Sequence, residues 1–325
     1  MTLMLDDDQA ALIAAAAEAC LPQVREDLAA VRARVAATAD RGGVEVAVVK
    51  DHVLDGPHGS LLVRQYAATP EPEQPAFVYF HGGGMVLGSV EYSDTLCRQL
   101  CAESGVSIFS VDYRLAPEHK YPVATDEAYF ATEWVAAQCG WLGVDAARLA
   151  VGGDSAGGSL AAGVTLRARD EGGPALVLQI LIYPGLERTA DRPSMLAFAN
   201  GPAITRANIE WMKEQYLGPD PALDTPYGVP ALAEDLEGLP EAIVVVAAVD
   251  PLRDGAEAYA DRLFDAGVQV MVMRYPGVVH GFLSHIRRLR RADRCVSDLA
   301  SALMARVCAY RPETGQRPAG PAGVP

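Results

Sequence analysis

Two short runs in this chain have the residue types and spacing for acyl chemistry. The first is Gly153-Asp154-Ser155-Ala156-Gly157, with Gly158 behind it. It follows the apolar stretch Leu149-Ala150-Val151 and opens a stretch, Ala156 to about Arg169, that can be helical. A serine at a strand-to-helix turn is held in a strained backbone conformation with its hydroxyl outward. Small neighbours let strand and helix approach there. Alone, Gly-x-Ser-x-Gly is a weak signal, because a chain rich in Gly and Ala makes ordinary glycine turns of this kind by chance. The second run is His81-Gly82-Gly83-Gly84, directly after the apolar Ala76–Phe80. Consecutive glycines at the end of a buried strand leave backbone N–H groups open to a ligand. Acyl transfer needs such donors where negative charge develops on a carbonyl oxygen, and losing one typically costs ~3–4 kcal/mol. By itself this run reads as a flexible turn. Beside Ser155 it reads as an oxyanion loop.

A serine hydroxyl needs a base, usually a histidine oriented by a carboxylate. The histidines are His52, His58, His81, His119, His280 and His285. His280 follows the expected strand Val268–Tyr275 through the loop Pro276-Gly277-Val278-Val279, which puts it at the strand ends where Ser155 sits. His52 and His58 flank a hairpin-like segment, and His285 begins the expected last helix. Asp250 ends the apolar run Ala242–Val249. Its competitor, Asp254, lies four residues further on, where it would cap a helix over 255–266. The order Ser155, Asp250, His280 is the Ser…Asp/Glu…His order of α/β-hydrolases.

These groups must be carried by a sheet. Short apolar runs at Ala76–Phe80, Val106–Val111, Leu149–Val151, Leu176–Ile182, Ala242–Ala248 and Val268–Tyr275 read as buried strands. Helices are expected between them at about 92–104, 123–139, 156–170 and 255–266. The alternation predicts a mostly parallel sheet with helices on both faces. Val44–Lys50 and Leu61–Ala67 add two strands in front, and the Pro-rich Thr69–Pro75 is a turn. Residues from about 7 to 37 read as one or two alanine-rich helices, broken or capped near Pro22. The stretch 186–230 breaks the alternation and reads as an insertion with one helix near Ala207–Tyr216. The Pro/Gly-rich 312–325 reads as a disordered tail.

Half of the 325 residues are hydrophobic, enough for a sizeable core. The net charge of −15 repels phosphate backbones, which argues against nucleic acids and anionic membranes as partners. No stretch reaches the roughly 18 apolar residues of a membrane span. Asp6-Asp7-Asp8 is the opposite of a signal peptide's basic start, so a reduced cytoplasm is the expected compartment. The six cysteines lack metal-ligand spacing. Cys97 and Cys101, one helical turn apart, read as buried thiols.

The chain resembles the bacterial hormone-sensitive-lipase-like family of carboxylesterases. The residues that carry this are His81-Gly82-Gly83-Gly84, Asp112-Tyr113-Arg114-Leu115-Ala116-Pro117-Glu118, Gly153–Gly158, Asp250-Pro251-Leu252-Arg253-Asp254 and His280-Gly281-Phe282. They span roughly residues 40–310. The resemblance implies an α/β-hydrolase fold over 41–311, with a helical cap built from the segment 1–40 and the 186–230 insertion. It implies Ser155 as nucleophile, His280 as base and Asp250 as orienting acid. It implies an oxyanion hole from the N–H groups of Gly83, Gly84 and Ala156, with His81 and Gly82 shaping the loop. Neither metal nor organic cofactor is implied, and a homodimer is compatible with it. The reaction implied is hydrolysis of short- to medium-chain esters. An acyltransferase, lactonase or dehydratase would use the same framework.

Two positions depart from the family pattern. Met85 stands where a bulky aromatic is usual, which softens the expected pocket wall, and Gly255 stands where glutamate is common. Arg114 and Glu118 are expected to tie loops beneath the site. The arginines at 287, 288, 290, 291 and 294 are expected on a solvated face. Trp134 and Trp141 are expected in the core. Trp211, Met85 and Asp154 are candidates for the substrate pocket.

Overall fold

The computed structural model describes residues 27–38, 42–188 and 191–309. Eight strands form one sheet: β1 (Val48–Gly56), β2 (Gly59–Ala67), β3 (Gln74–Phe80), β4 (Ser107–Val111), β5 (Val144–Asp154), β6 (Leu178–Ile182), β7 (Glu241–Val249) and β8 (Val270–Val279). Their order across the sheet is β1-β2-β4-β3-β5-β6-β7-β8. The β1–β2 hairpin enters antiparallel, and every pairing from β4–β3 to β7–β8 is parallel.

The helices are α1 (Leu28–Thr38), α2 (Val90–Ser104), α3 (Val123–Ala137), α4 (Cys139–Leu142), α5 (Ala156–Glu171), α6 (Pro193–Ala197), α7 (Arg206–Leu217), α8 (Arg253–Asp265) and α9 (Arg290–Ala309). The expected helices at 92–104, 123–139, 156–170 and 255–266 correspond to α2, α3, α5 and α8. Of the alanine-rich segment expected over 7–37, only α1 falls among the described residues. The 312–325 tail lies outside them.

Two cores explain why the central strands are apolar without interruption. Every residue of β3 is buried. Successive side chains point to opposite faces. Ala76, Val78 and Phe80 join Ala128, Leu160 and Tyr259 of α3, α5 and α8. Phe77 and Tyr79 join Leu96, Cys97 and Leu100 of α2 and Leu299 and Leu303 of α9. Cys97 and Cys101 are buried thiols, as the spacing suggested. The ends of α2 are set locally. Ser89 Oγ accepts the Tyr92 N–H, and Gly105, at φ 70°, closes the helix by donating to the Cys101 carbonyl.

The first strand differs from its expectation of 44–50. It runs Val48–Gly56, because Gly56 pairs with Gly59 across a two-residue turn and fixes the register. The polar residues Lys50, Asp51 and Asp55 hid the strand. They are exposed on an edge strand in which only His52 and Leu54 are buried. Trp141 is a second correction. It is 63% exposed instead of sitting in the core. It lies on the surface beside His52, with the Lys50 ammonium 4.7 Å from its ring centroid. Trp134 is half-buried against the core.

Between β6 and β7 the chain leaves the sheet and forms α6 and α7. The α7 helix starts at a Thr205 cap, whose hydroxyl accepts the Asn208 N–H at 3.1 Å. Its apolar residues Ile209, Met212 and Tyr216 face inward. Among the described residues no helix is long and apolar enough to cross a membrane.

Candidate active site

The sharp turn between β5 and α5 carries Ser155. Its backbone sits at φ 54° and ψ −114°, a region costly for a residue with a side chain. Strand and helix touch closely here. A Cβ on Gly157 would run into the Phe80 carbonyl, so that position must stay glycine. The Ser155 N–H donates to Ile182 O at 2.8 Å, which fixes the turn on the neighbouring strand.

Ser155 Oγ lies 2.8 Å from His280 Nε2, and His280 Nδ1 lies 2.7 Å from Asp250 Oδ2. The other carboxylate oxygen, Asp250 Oδ1, accepts the Leu252 N–H at 2.8 Å. These residues come from the ends of β5, β7 and β8, brought together by the parallel order. Asp250 and His280 are almost wholly buried. Burial opposes a charge on the imidazole, but the Asp250 carboxylate outweighs it through charge and hydrogen bond, with Asp154 adding to the pull. The net shift of His280 is upward.

The triple-glycine loop after β3 faces Ser155. Asp154 Oδ1 accepts both the Tyr79 hydroxyl at 2.5 Å and the Gly82 N–H at 2.7 Å. Leu87 N–H and Val86 N–H both donate to Gly83 O, which folds the loop into a tight turn. Gly83 at φ 121° and Gly84 at φ 64° take conformations that favour glycine. His81 is buried beneath, stacked on Tyr113 with centroids 4.2 Å apart, and its Nδ1 donates to Gly82 O at 2.8 Å. Burial holds its pKa below the usual histidine value. The N–H groups of Gly83, Gly84 and Ala156 make no hydrogen bond among the described residues.

A family model described as alpha/beta hydrolase fold matches residues 77–284. The chain belongs to this family, in its hormone-sensitive-lipase-like branch. The hydrolase is 40% identical over 292 residues to Carboxylic ester hydrolase LipN of Mycobacterium tuberculosis, covering 87% of this chain and 77% of that one. It is 38% identical over 253 residues to an ethyl acetate hydrolase of Pseudomonas putida, covering 75% of this chain and 78% of that one. Among solved structures it resembles the Pyrobaculum calidifontis esterase, with a TM-score of 0.84, 38% identity and coverage of 93% and 98%. It also resembles an ester-hydrolase from the metagenome of Lake Arreo, with a TM-score of 0.88, 37% identity and coverage of 93% and 99%.

Above Ser155 the hydrolase has a cavity of about 970 Å³. Its floor holds Gly83, Gly84, Met85, Asp154, Ser155, Ala156 and His280, and its roof Ile204, Ile209 and Met212. Met85 is among the residues that line it. Asp154 borders the cavity too, but its carboxylate is engaged by Tyr79 and Gly82. Burial raises its pKa, against the hydrogen bond from Tyr79. Trp211 is not among the lining residues. It stands one position before Met212 on α7, so the helical rotation turns it from the cavity onto the core packing.

Two further corrections concern polar residues. Asp254 does not cap the helix after it. It lies in the first turn of α8, and its Oδ2 accepts the Ser194 N–H of α6 at 2.7 Å. Ser194 Oγ in turn accepts the Asp254 N–H and donates to Pro251 O. Arg287 and Arg288 precede α9 instead of lying on it, and Arg288 reaches the cavity mouth. Arg114 and Glu118 tie loops, as expected: Arg114 pairs with buried Glu127 and donates to Ser60 O.

Two residues at the site escaped the sequence reading. Tyr183, buried at the end of β6, sets its ring edge-on to His280 with centroids 5.1 Å apart. Only its place at a central strand end could have drawn attention. Arg32 of α1 donates to Val86 O, Ala116 O and both oxygens of Glu118, tying the stretch after the triple-glycine loop to α1. No local signal marks it, since it acts across 54 residues or more.

Proposed function

We propose that the chain is a serine carboxylesterase that hydrolyses short- to medium-chain esters through an acyl-enzyme on Ser155. The observation that carries this reading is the continuous hydrogen-bonded line from Ser155 Oγ through His280 to Asp250. His280 Nε2 takes the hydroxyl proton as Oγ bonds to the ester carbonyl carbon. The carbonyl oxygen, now negative, is met by the N–H groups of Gly83, Gly84 and Ala156. His280 returns its proton to the departing alkoxide oxygen, the C–O bond breaks, and the alcohol leaves. Water then gives a proton to His280, attacks the acyl carbon and releases the acid and a restored Ser155. Asp250 holds the imidazole in the tautomer that accepts at Nε2, and stabilises its charged form. Helices α1, α6 and α7 serve as a cap whose apolar inner side suits uncharged acyl groups, and the cavity volume admits chains longer than acetyl.

Ser155→Ala is the direct test. Turnover of p-nitrophenyl acetate and butyrate is expected to fall by about 10³-fold or more, with fluorophosphonate labelling lost. A wild-type protein inert on a panel of short esters sinks the reading.

A further inference from the structure

Most of the cavity wall is apolar, but one ammonium opens into it. Lys213 stands on α7 directly after Met212, and a Cβ on Gly84 would strike the Met212 side chain, so this stretch of helix lies against the oxyanion loop. Lys213 lines the same cavity as Ser155 and His280. The acidic groups around it are already engaged. Glu187 is gripped by Arg192, with Nε to Oε1 at 3.1 Å and Nη2 to Oε1 at 2.5 Å. Asp224 is held in a two-pronged pair by Arg188, both contacts at 2.5 Å. Among the described residues the Lys213 ammonium makes no hydrogen bond or ion pair.

Such an arrangement needs a reason. A half-buried cation without a partner loses hydration and recovers little from the protein. Burial pulls Lys213 down to about 8. Glu187 and Asp224 pull the other way, and Arg188 adds to the lowering. The ammonium therefore remains the prevailing form at neutral pH. Lys213 lines this cavity in a chain whose net charge is −15. Arg288, exposed at the mouth of the same cavity, adds a second positive charge along the way in.

We propose that Lys213 is a specificity residue that binds a carboxylate on the non-reacting end of the substrate. The favoured substrates are then half-esters of dicarboxylic acids, or acyl esters of hydroxy acids. This rests on the esterase reading above and narrows its substrate class. The carbonyl attacked by Ser155 is uncharged in either case. The carboxylate replaces the missing partner of the ammonium, and the apolar wall takes the methylene chain between them.

The test uses two length-matched pairs. Mono-p-nitrophenyl adipate against p-nitrophenyl hexanoate places the charge on the acyl side. The butyryl ester of ω-hydroxyhexanoate against hexyl butyrate places it on the alcohol side. In Lys213→Met the ratio of kcat/KM, anionic over neutral, is expected to fall about tenfold or more in at least one pair, mainly through KM. Lys213→Arg is expected to hold the ratio near the wild-type value. Turnover of the neutral esters shows that each variant is folded and that the esterase reading stands. An unchanged ratio in both pairs, with neutral esters still hydrolysed, overturns the role of Lys213. Failure of the wild type on all four esters overturns the esterase reading itself.

Discussion

Asp154 and Gly82 are joined across the site: one carboxylate oxygen of the residue before Ser155 accepts the N–H of the first glycine in the facing loop, at 2.7 Å. The turn that carries Ser155 and the loop that presents Gly83 and Gly84 are therefore tied by a side chain as well as by the pairing of Phe80 with Gly153. Tyr79, from the strand that runs into that loop, donates to the same oxygen. Asp154→Ala is expected to lower kcat about tenfold or more with a smaller change in KM, because a loop out of place costs most when charge develops on the carbonyl. Steady-state kinetics on p-nitrophenyl butyrate checks it. A change confined to KM would contradict this role for Asp154.

The upward shift of His280 has a kinetic consequence. The imidazole must be neutral to accept the serine proton, so kcat/KM falls as pH drops through its pKa. The acid limb is expected to have its midpoint above the ordinary histidine value of about 6.5. Asp250→Asn removes the charge that outweighs burial, so the midpoint moves down while kcat falls by about 10³–10⁴-fold. A pH profile of kcat/KM for both proteins decides this, and an upward move in the variant would be the wrong sign.

Gly83 and Gly84 are expected to respond differently to alanine. At Gly83 the added Cβ meets the Leu87 carbonyl, which belongs to the loop's own turn. At Gly84 it meets the flexible Met212 side chain. Met212→Ala should therefore recover part of the activity of Gly84→Ala and none of that of Gly83→Ala. The left-handed backbone costs about 1 kcal/mol in both. Acyl-enzyme formation rates in the single and double variants measure the recovery.

Arg32 and its ion-pair partner are not equal contributors. Glu118 is 56% exposed, so Glu118→Gln is expected to cost under about 1 kcal/mol. Arg32→Ala also strips donors from the carbonyls of Val86 and Ala116, and is expected to cost about 1–3 kcal/mol. Denaturant unfolding separates the two, and equal losses would refute the distinction.

How far the sequence could be read follows from how local each signal was. The uninterrupted apolar runs marked the central strands, because burial on both faces leaves no room for polar residues. Ser155 and Asp250 were legible because each follows such a run, whereas His280 follows β8, an edge strand that was expected to be buried but whose residues up to Gly277 are exposed or half-buried. Where an element meets water the signal weakened, as in β1, with its exposed Lys50, Asp51 and Asp55. Trp211 shows the limit of residue type as a guide. Its chemistry suits a pocket, but the rotation of α7 gives that place to Met212. Tyr183, Arg32 and Lys213 depend on partners far along the chain, so no window of sequence displays their surroundings.

The knot between Ser194, Asp254 and Pro251 makes the two inserted helices unequal starting points for redesign. The α6 helix is fastened to the turn that begins at Asp250. Changes at Ser194, which is buried and does not line the cavity, would travel into the turn that supports Asp250. Ile209 packs with Met195 of α6 and Leu252 of that turn, but Met212 and Leu217 of α7 touch the cavity from the other core cluster. Selectivity can be varied from those positions with the proton-transfer machinery left undisturbed, which makes α7 the adjustable part of this hydrolase and α6 the committed one.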